Sequence, residues 1–483
     1  MRQIRHDNLH IRGGRSRAIG EEFAFPILIG VDRQIVESSS IENLPYKRGA
    51  KLKKGDLMLF SKSFIELHII QGLPASNPNR GKDGDPKTVM FGGVLRTRLS
   101  SQAQKRSARE WYSEHSGLDR KQLADRSRLW HLDLASLLTW APAHQRDAIA
   151  RILISLFNNG PEKIFSGALS MNNLIFVSAH EIATIAKVSE HELVILCDLA
   201  DRLEAYKIWE AAQKKKDKVD PDEPMVEVEE GTTKAKKKEK AVFAHHPTKS
   251  ELRAIEKLII NELKQAIPGD VALFGRMMAT LTEASIDGSL QVGHAFSVNQ
   301  CHKSKGDAWH PGEIDFYTAI DDKSVTSGAA MIGEMSFTAP VHYRYANIAA
   351  HETERLMGDA EAAKKCIAAF IQGFVRSLPD GHSTQFAHAT LPQFVLIQVK
   401  DTCPYGLSSA FLSPIDRPDQ SFPTDGGGVS ISQSAVAKLM DYRKEMAFMY
   451  GDTVKAYAIV ALKDHHPEGQ PLDAAVNLIL EAL

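Results

Sequence analysis

The chain has 483 residues, of which 43% are hydrophobic and 25% charged, and its formal net charge is −1. This length allows about two to four domains with sizeable cores. The near-neutral charge excludes a uniformly basic nucleic-acid coat, so any polyanion must meet a local basic patch. Four widely spaced cysteines form no CxxC pair, and no apolar run approaches a membrane span. We therefore expect a cytoplasmic protein without disulfides, a zinc knuckle or a cofactor.

The first 57 residues differ from the rest of the chain. Several arginines precede a short apolar run, Phe23–Val31, which a proline interrupts. This run is too short and too broken for a signal peptide. Met58 stands just before a clean strand pattern, Phe64–Ile70. We interpret residues 1–57 as a start-site extension or a loosely attached segment.

A basic stretch follows the first strand and a polar loop, Gln71–Lys87. From Pro86 to Arg109 there are six cations and no carboxylate. Val94–Ser100 alternates as a half-buried strand does, with its leucines on one face and its arginines on the other. Ser101–Gln104 then has the pattern of a capping box, which predicts the start of a helix.

This predicted helix carries Lys105, Arg106 and Arg109 in its first two turns. Cations are unfavourable there, because the helix dipole favours anions at the N-terminus. Lys105 and Arg109 also repel each other at i,i+4 spacing. Both costs disappear when a phosphate binds, so the pattern favours a polyanion site. The alternative is a solvated basic face.

From Trp111 to Asn261 the sequence has helical periodicity and almost no strand signal. Helices are predicted over Arg146–Phe157, Ala179–Lys187, Glu190–Ala212 and Glu251–Ala266. The segment Lys214–Lys240 is highly charged and has almost no large apolar residues. It cannot form a core, so we interpret it as a solvated insertion or a disordered loop.

Strand signals resume after Pro268-Gly269-Asp270. The pattern predicts strands and helices in alternation, with the first two strands paired and the next two framing a hairpin. The predicted strands are Val271–Met277, Leu290–Val298, Ile314–Ile320, Met331–Phe337, Val341–Ala349, Phe394–Lys400 and Ala456–Leu462, and the predicted helices are His351–Ser377, Ser434–Met449 and Leu472–Leu483. This order indicates an α+β fold: an antiparallel sheet with helices on one face and a helical domain inserted after its first segment.

Enzyme signatures are weak in this chain. No P-loop, HExxH, GxSxG or GxGxxG motif occurs. Cys301, His302 and His310 lie close together but lack the paired spacing of a closed zinc site. Asp321 and Asp322 could join His302 in a metal-dependent nuclease. We expect a binding protein rather than an enzyme; that nuclease and a general single-strand-binding protein remain the alternatives.

The basic stretch, FGGVLRTRLSSQAQKRSAR at Phe91–Arg109, resembles the N-terminal signature of the CasC family. This family forms the multicopy backbone of the type I-E CRISPR surveillance complex, Cascade. Four further blocks match in order: GDVALFGRM at Gly269–Met277, SLQVGHAF at Ser289–Phe296, EIDFYTAIDD at Glu313–Asp322 and VHYRYANI at Val341–Ile348. The resemblance covers roughly Phe64 to the end of the chain.

The resemblance implies an RNA-recognition-like (ferredoxin-like) palm, an inserted helical fingers domain and a β-hairpin thumb. On this basis the palm comprises residues 58–110 and 268–483, the fingers 111–267 and the thumb about 299–338. Copies would bind head to tail along the spacer of a guide RNA and kink it at intervals. The guide would then pair with target DNA, and other Cascade subunits would complete the complex.

The resemblance also implies RNA-binding residues at matching positions. Met277 would wedge against bases and Tyr317, in the thumb, would pack at the kink, although strand patterns alone would place both in a core. The remaining implied contacts are polar or basic: Arg80, Lys87, Ser100, Gln102, Lys105, Arg106, Arg109 and Arg276. Such contacts suit a guide whose sequence varies, because phosphates are the same at every position.

Overall fold

The computed structural model describes residues 60–117, 123–127, 129–157, 175–216, 249–265, 267–278, 281–301, 313–317, 331–415 and 429–483. The segment 1–57 and nearly all of Lys214–Lys240 lie outside these residues. Our interpretations of both segments therefore stay predictions.

Twelve strands and twelve helices can be named within the described residues. The strands are β1 Phe64–Gly72, β2 Thr88–Phe91, β3 Val94–Leu99, β4 Ala124–Ser127, β5 Ile175–Ser178, β6 Leu290–Val292, β7 Ala295–Ser297, β8 Glu313–Tyr317, β9 Met331–Met335, β10 Val341–Ala349, β11 Phe394–Lys400 and β12 Val454–Ala461. The helices are α1 Ser101–His115, α2 Trp130–Leu137, α3 Arg146–Ser155, α4 Ala179–Val188, α5 Leu193–Lys216, α6 Lys249–Gln265, α7 Gly269–Phe274, α8 Ala350–Met357, α9 Ala360–Arg376, α10 Ser383–Phe386, α11 Ile431–Tyr450 and α12 Leu472–Glu481.

The central sheet has eight strands in the order β12-β11-β1-β10-β7-β3-β2, and β6 also pairs with β10. β1 is the centre of this sheet. It runs antiparallel to β10, with Phe64 opposite Ala349, and antiparallel to β11, with Phe64 opposite Lys400. The predicted mixture of helices and an antiparallel sheet is therefore confirmed.

Helices cover both faces of the sheet. Ile65, Leu67 and Ile69 of β1 pack in a core that includes side chains of α1, α9 and α12. On the other face, Ile70 of β1 and Leu396 of β11 share a second core with the first turns of α11. The prediction of helices on one face is wrong, because every residue of β11 is buried and both of its faces need cover.

A third core unites the helical region between α2 and α6. Trp130, Leu153, Ile185 and Leu263 belong to it, as does Met278 beyond α7. The predicted helices of this region are confirmed to within a few residues. Two four-residue strands, β4 and β5, also pair there, although almost no strand pattern is present in this part of the sequence.

The predicted strand Val271–Met277 is wrong, because Gly269–Phe274 forms helix α7. Gly269 to Leu273 are all buried, so this run has no exposed polar face and periodicity cannot separate strand from helix. It does not pair with Leu290–Val298, which breaks into β6 and β7. Both of these short strands pair with β10 instead.

The predicted helix His351–Ser377 is two helices. Gly358 ends α8 in the left-handed conformation, with φ of 69°. Asp359 then caps α9, because its carboxylate accepts the backbone N–H groups of Glu361 and Ala362. A glycine followed by an aspartate thus supplies a stop signal and a start signal within two residues.

We expect acid to destabilise the fold through a buried histidine. His342 on β10 is 2% exposed. Burial, and then the charge of Arg344, lowers its pKa from 6.5 to about 3. Folding thus favours the neutral ring, so its stabilisation is complete above pH 6.5 and is lost as the pH falls toward about 3. The free energy of unfolding should fall by up to about 1.4 kcal/mol per pH unit, measured as a falling thermal midpoint.

His342→Asn should flatten this pH dependence, whereas His144→Asn, at an exposed position, should not. Buried His68 adds to the slope in the same direction, because burial lowers its pKa also. A pH profile of His342→Asn equal to that of the wild type would contradict the assignment.

We expect Ala387→Gly to stabilise the protein by about 1 kcal/mol. Ala387 has a φ of 45°, which is left-handed and unfavourable for a residue with a Cβ. Glycine adopts this conformation without that cost. Ala368→Gly, inside α9, is the matched control and should destabilise by about 1 kcal/mol. Urea denaturation of both variants measures the difference, and two shifts of the same sign would argue against strain at Ala387.

Candidate nucleic-acid interface

The basic stretch forms a corner where β3 runs into α1. Ser100 is the N-cap of α1, since its hydroxyl oxygen accepts the N–H of Ala103 at 3.3 Å. Its own N–H donates to the side chain of Asn79 at 2.9 Å. The predicted helix is confirmed, but the cap is Ser100 rather than Ser101. The side-chain amide of Gln104 donates to backbone carbonyls instead of closing a capping box.

Three of the predicted RNA-binding side chains are exposed at this corner: Arg80, Gln102 and Arg106. Arg80 and Arg106 line one cleft of about 370 Å³, whose third wall is Pro379–Gly381. The carboxylate of Glu110 accepts a hydrogen bond from the guanidinium of Arg106 at 2.8 Å. This contact raises the pKa of Arg106, and the charge of Asp380 adds a smaller increase. Arg106 is thus held in place by a surface ion pair and remains open to solvent.

Lys87 and Lys105 are only half-exposed. Lys87 precedes β2, and its carbonyl accepts the N–H of Arg98 at 2.7 Å. The ammonium of Lys105 lies 3.4 Å from the carbonyl oxygen of Leu290 on β6. Burial lowers the pKa of Lys105, so a nearby anion would stabilise its charged form.

Arg109 forms an internal ion pair. Its guanidinium lies 2.5 Å from the carboxylate of Asp270 on α7, and that carboxylate is fully buried. The guanidinium also lies over the ring of Phe176, 3.6 Å from its centre. The structure therefore gives Arg109 a structural role that joins α1 to α7 and β5, and its predicted phosphate contact stays a prediction.

Arg96 also has a structural role. It is fully buried, although strand alternation predicts an exposed side chain at this position. Its guanidinium donates to the carbonyl oxygens of Ser297, Val298 and Phe411. The outer face of β3 is thus covered by the chain around Phe411 rather than by solvent.

Arg276 and Met277 are neighbours with opposite environments. Arg276 is 3% exposed, and its guanidinium donates to the carboxylate of Glu181 on α4 at 2.6 Å. Met277 is 85% exposed. The backbone of Arg276 pairs with Ile286 in extended conformation, so consecutive side chains point to opposite sides. Arg276 thus forms a buried ion pair that anchors the backbone beside Met277, and its predicted RNA contact stays a prediction.

Tyr317 ends β8, and its backbone pairs with Met331 on β9. The antiparallel pairing of β8 and β9 confirms the predicted hairpin strands. The side chain of Tyr317 and the residues between the two strands lie outside the described part of the chain.

Two further residues of the corner were not predicted to bind RNA. Arg98 lies opposite Phe296 of β7, and His294 is exposed between β6 and β7. The N–H of Ser101 donates to Nδ1 of His294 at 2.8 Å. Partial burial, and then the charges of Arg98 and Lys87, lower the pKa of this histidine. A Gly-His pair that interrupts a strand pattern was the available signal.

These side chains define a surface suited to an extended polyanion. Arginine, lysine, glutamine and histidine from separate elements meet at an open corner, whereas a small ligand would need an enclosed pocket. Met277 separately presents an exposed apolar side chain, a type of group that can pack against a base. Among the described helices, none is long and apolar enough to cross a membrane.

The sequence pattern of the CT1975-like protein family matches residues 65–480. The chain therefore belongs to this family, which confirms its resemblance to the CasC type of protein. No curated protein matches it.

Two solved structures are similar to it over 87% of its length. A chain of a "CRISPR RNA-guided surveillance complex, pre-nicking" is 26% identical, with a TM-score of 0.60 and 99% of that chain covered. A chain of a "CRISPR RNA-guided surveillance complex" is 22% identical, with a TM-score of 0.56 and 100% covered. The second likeness shows the shared fold.

We expect Glu181→Gln to destabilise the protein by about 3 kcal/mol, because it leaves the charge of Arg276 buried without a carboxylate. The glutamine retains an oxygen for the N–H of Ser178, which Glu181 accepts in the capping box of α4. Thermal or urea denaturation measures the loss. The double variant Glu181→Leu/Arg276→Met removes both charges and should recover most of the stability; no recovery would show that the charge is not the cause.

Proposed function

We propose that this protein is a non-catalytic, guide-RNA-binding backbone subunit of a type I-E Cascade complex. The exposure of Met277 carries this proposal. A methionine that is 85% exposed leaves a flexible apolar side chain in water, while the neighbouring Arg276 is fixed in the core. A thioether adapts to any base face, so contact with RNA bases would cover this surface without reading their sequence.

The corner at the start of α1 supplies the second requirement of a guide-binding subunit. Spacer sequences vary, so binding must rest on phosphates and sugars. Arg80, Gln102 and Arg106 are exposed there, and Lys87 and Lys105 are partly exposed. We infer that these five side chains contact guide phosphates, while Ser100 shapes the corner by capping α1.

The fold is consistent with three parts that have different roles in RNA binding. We infer that the eight-stranded sheet with its helices is an RNA-recognition-like palm, the helical region is the fingers, and β8–β9 belong to a thumb that carries Tyr317. Copies would bind head to tail, an arrangement that extends into a filament until the RNA ends. Each thumb would kink the strand on the neighbouring palm, and the guide would pair with target DNA in short segments.

The solved structures favour this proposal over general single-strand binding, because both similar chains come from CRISPR RNA-guided surveillance complexes. The residues of the nuclease alternative, His302, Asp321 and Asp322, lie outside the described part of the chain. We infer a cytoplasmic complex in which other Cascade subunits accompany this chain.

Purification from the native host tests the function. RNA of uniform length that carries CRISPR repeat sequence should copurify with the protein. Heterogeneous cellular RNA would indicate a general single-strand-binding protein instead. Cleavage of labelled RNA with Mg²⁺ or Mn²⁺ that disappears in Asp321→Ala would establish the nuclease.

We expect Lys87→Ala to weaken RNA binding for every sequence and to reduce the salt dependence of log K by about one unit of slope. The reason is that one lost phosphate contact releases about one counterion fewer. Titration of labelled single-stranded RNA at several salt concentrations measures the slope. Lys444→Ala, at an exposed cation on α11, is the control and should change neither quantity; an unchanged slope in Lys87→Ala would remove Lys87 from the interface.

Met277→Gly should leave the salt slope unchanged, because no charge is lost. It should disturb filament assembly or target pairing, since the strand loses its apolar contact. Reconstituted complexes with a guide and a labelled target DNA measure this effect. Met277→Leu keeps most of the apolar surface and should retain function, whereas normal target binding by Met277→Gly would refute the wedge role.

A further inference from the structure

His294 faces the start of α1. In the pairing of β3 with β7, Arg98 lies opposite Phe296 and Leu99 opposite Ala295. One step further, His294 comes to the level of Ser100, the N-cap. Its Nδ1 accepts the N–H of Ser101 at 2.8 Å. The first backbone donor of the helix is therefore bound by this histidine.

This hydrogen bond fixes the protonation state of the ring. An accepting Nδ1 carries no proton, so the proton of the neutral imidazole resides on Nε2. Protonation of Nδ1 would break the bond to Ser101. The charges of Arg98 and Lys87 also disfavour the cationic ring. His294 therefore presents a neutral N–H donor with a fixed direction.

The surroundings of this donor suit an anionic acceptor. His294 is exposed, and within the described part of the chain its Nε2 has no hydrogen-bond partner. Arg98 and Lys87 are the charges that act on its ring, and the first turn of α1 has no acidic residue. Because the ring accepts from a helix N-terminus, it is polarised toward donation at Nε2.

We propose that His294 donates its Nε2–H to a phosphate oxygen of the bound strand, near the positive charges of Lys87 and Arg98. This inference rests on the proposed RNA binding and adds a residue to the interface. The imidazole would then accept the N–H of Ser101 at Nδ1 and donate to the phosphate at Nε2. The positive end of the α1 dipole would strengthen this donation by polarising the ring.

A neutral donor leaves a distinct experimental signature. Lysine and arginine contacts release counterions from the nucleic acid, so their loss changes the salt slope. A histidine that stays neutral contributes a directed hydrogen bond without that release. Its loss should therefore lower the affinity by the same factor at every salt concentration.

His294→Asn tests this inference. The asparagine oxygen takes the place of Nδ1 and still accepts from Ser101, but no group replaces the distal Nε2–H. We expect labelled single-stranded RNA to bind about tenfold more weakly, the effect of losing one hydrogen bond to a charged acceptor. The salt slope and the thermal midpoint should equal those of the wild type. The loss should be the same for single-stranded DNA of equal sequence, because the phosphate is common to both.

His294→Gln places an amide donor near the position of Nε2 and should recover part of the affinity even if it weakens the cap. Three results would overturn the inference: unchanged RNA affinity in His294→Asn, a reduced salt slope, or a loss confined to RNA, which would indicate the ribose hydroxyl. Absence of RNA binding by the wild-type protein would instead reject the proposed function. Lys87→Ala in the same titration shows that the assay detects a single contact.

Discussion

A buried ion pair at the centre of the sheet holds together the parts on which the interface depends. Glu66 of β1 and Lys400 of β11 are both fully buried, and their charged atoms lie 2.7 Å apart. Burial alone would raise the pKa of Glu66, but His68 and Lys400 together lower it to about 2. The same carboxylate accepts the backbone N–H of Tyr405. This hydrogen bond fixes the segment that follows β11 against the face of the sheet.

The segment after β11 also contacts β3, the strand that leads into the candidate interface. The N–H of Leu407 donates to the hydroxyl of Tyr343, and the carbonyl of Phe411 accepts from Arg96. Gly92, in the turn between β2 and β3, touches the backbone of Leu412 so closely that a Cβ would clash with it. A chain of polar contacts therefore runs from the centre of the sheet to β3, and α1 begins where β3 ends. The cations of the basic stretch therefore differ in exposure: Arg96 and Arg109 are held in internal contacts, whereas Arg106 faces solvent.

The strands of the sheet core were predictable because their patterns are local. β1, β10 and β11 are rich in β-branched or aromatic residues, although polar side chains such as Glu66, Arg344 and Lys400 interrupt the apolar pattern. The course of α7 was not predictable, since a short run that is buried on every side fits a helix and a strand equally well. The ion pairs of the corner could not be predicted either. Asp270 lies 161 positions from Arg109, and Glu181 lies 95 positions from Arg276.

Charge counting alone therefore treated all six cations of the basic stretch as one surface. Only the fold separates a guanidinium that holds a partner carboxylate from one that faces solvent. The exposure of Met277 was likewise set by its neighbour, because a residue next to a buried arginine in extended backbone must point the other way. His294 could not be predicted from the block Ser289–Phe296 alone, because its hydrogen bond is to Ser101, 193 positions earlier in the chain.

The anchoring of Arg276 has a mechanical consequence. Its guanidinium is held by Glu181 and by the carbonyl of Phe176, and both belong to the helical region rather than to the sheet. Met277 therefore follows the helices, while the cations of α1 follow the sheet. The distance between the Met277 side chain and the cations of α1 is therefore set by the packing of the helical region against the sheet. The stacking of Arg109 on Phe176 joins α1 to this helical region, so loss of that contact should alter the spacing between Met277 and the cations of α1.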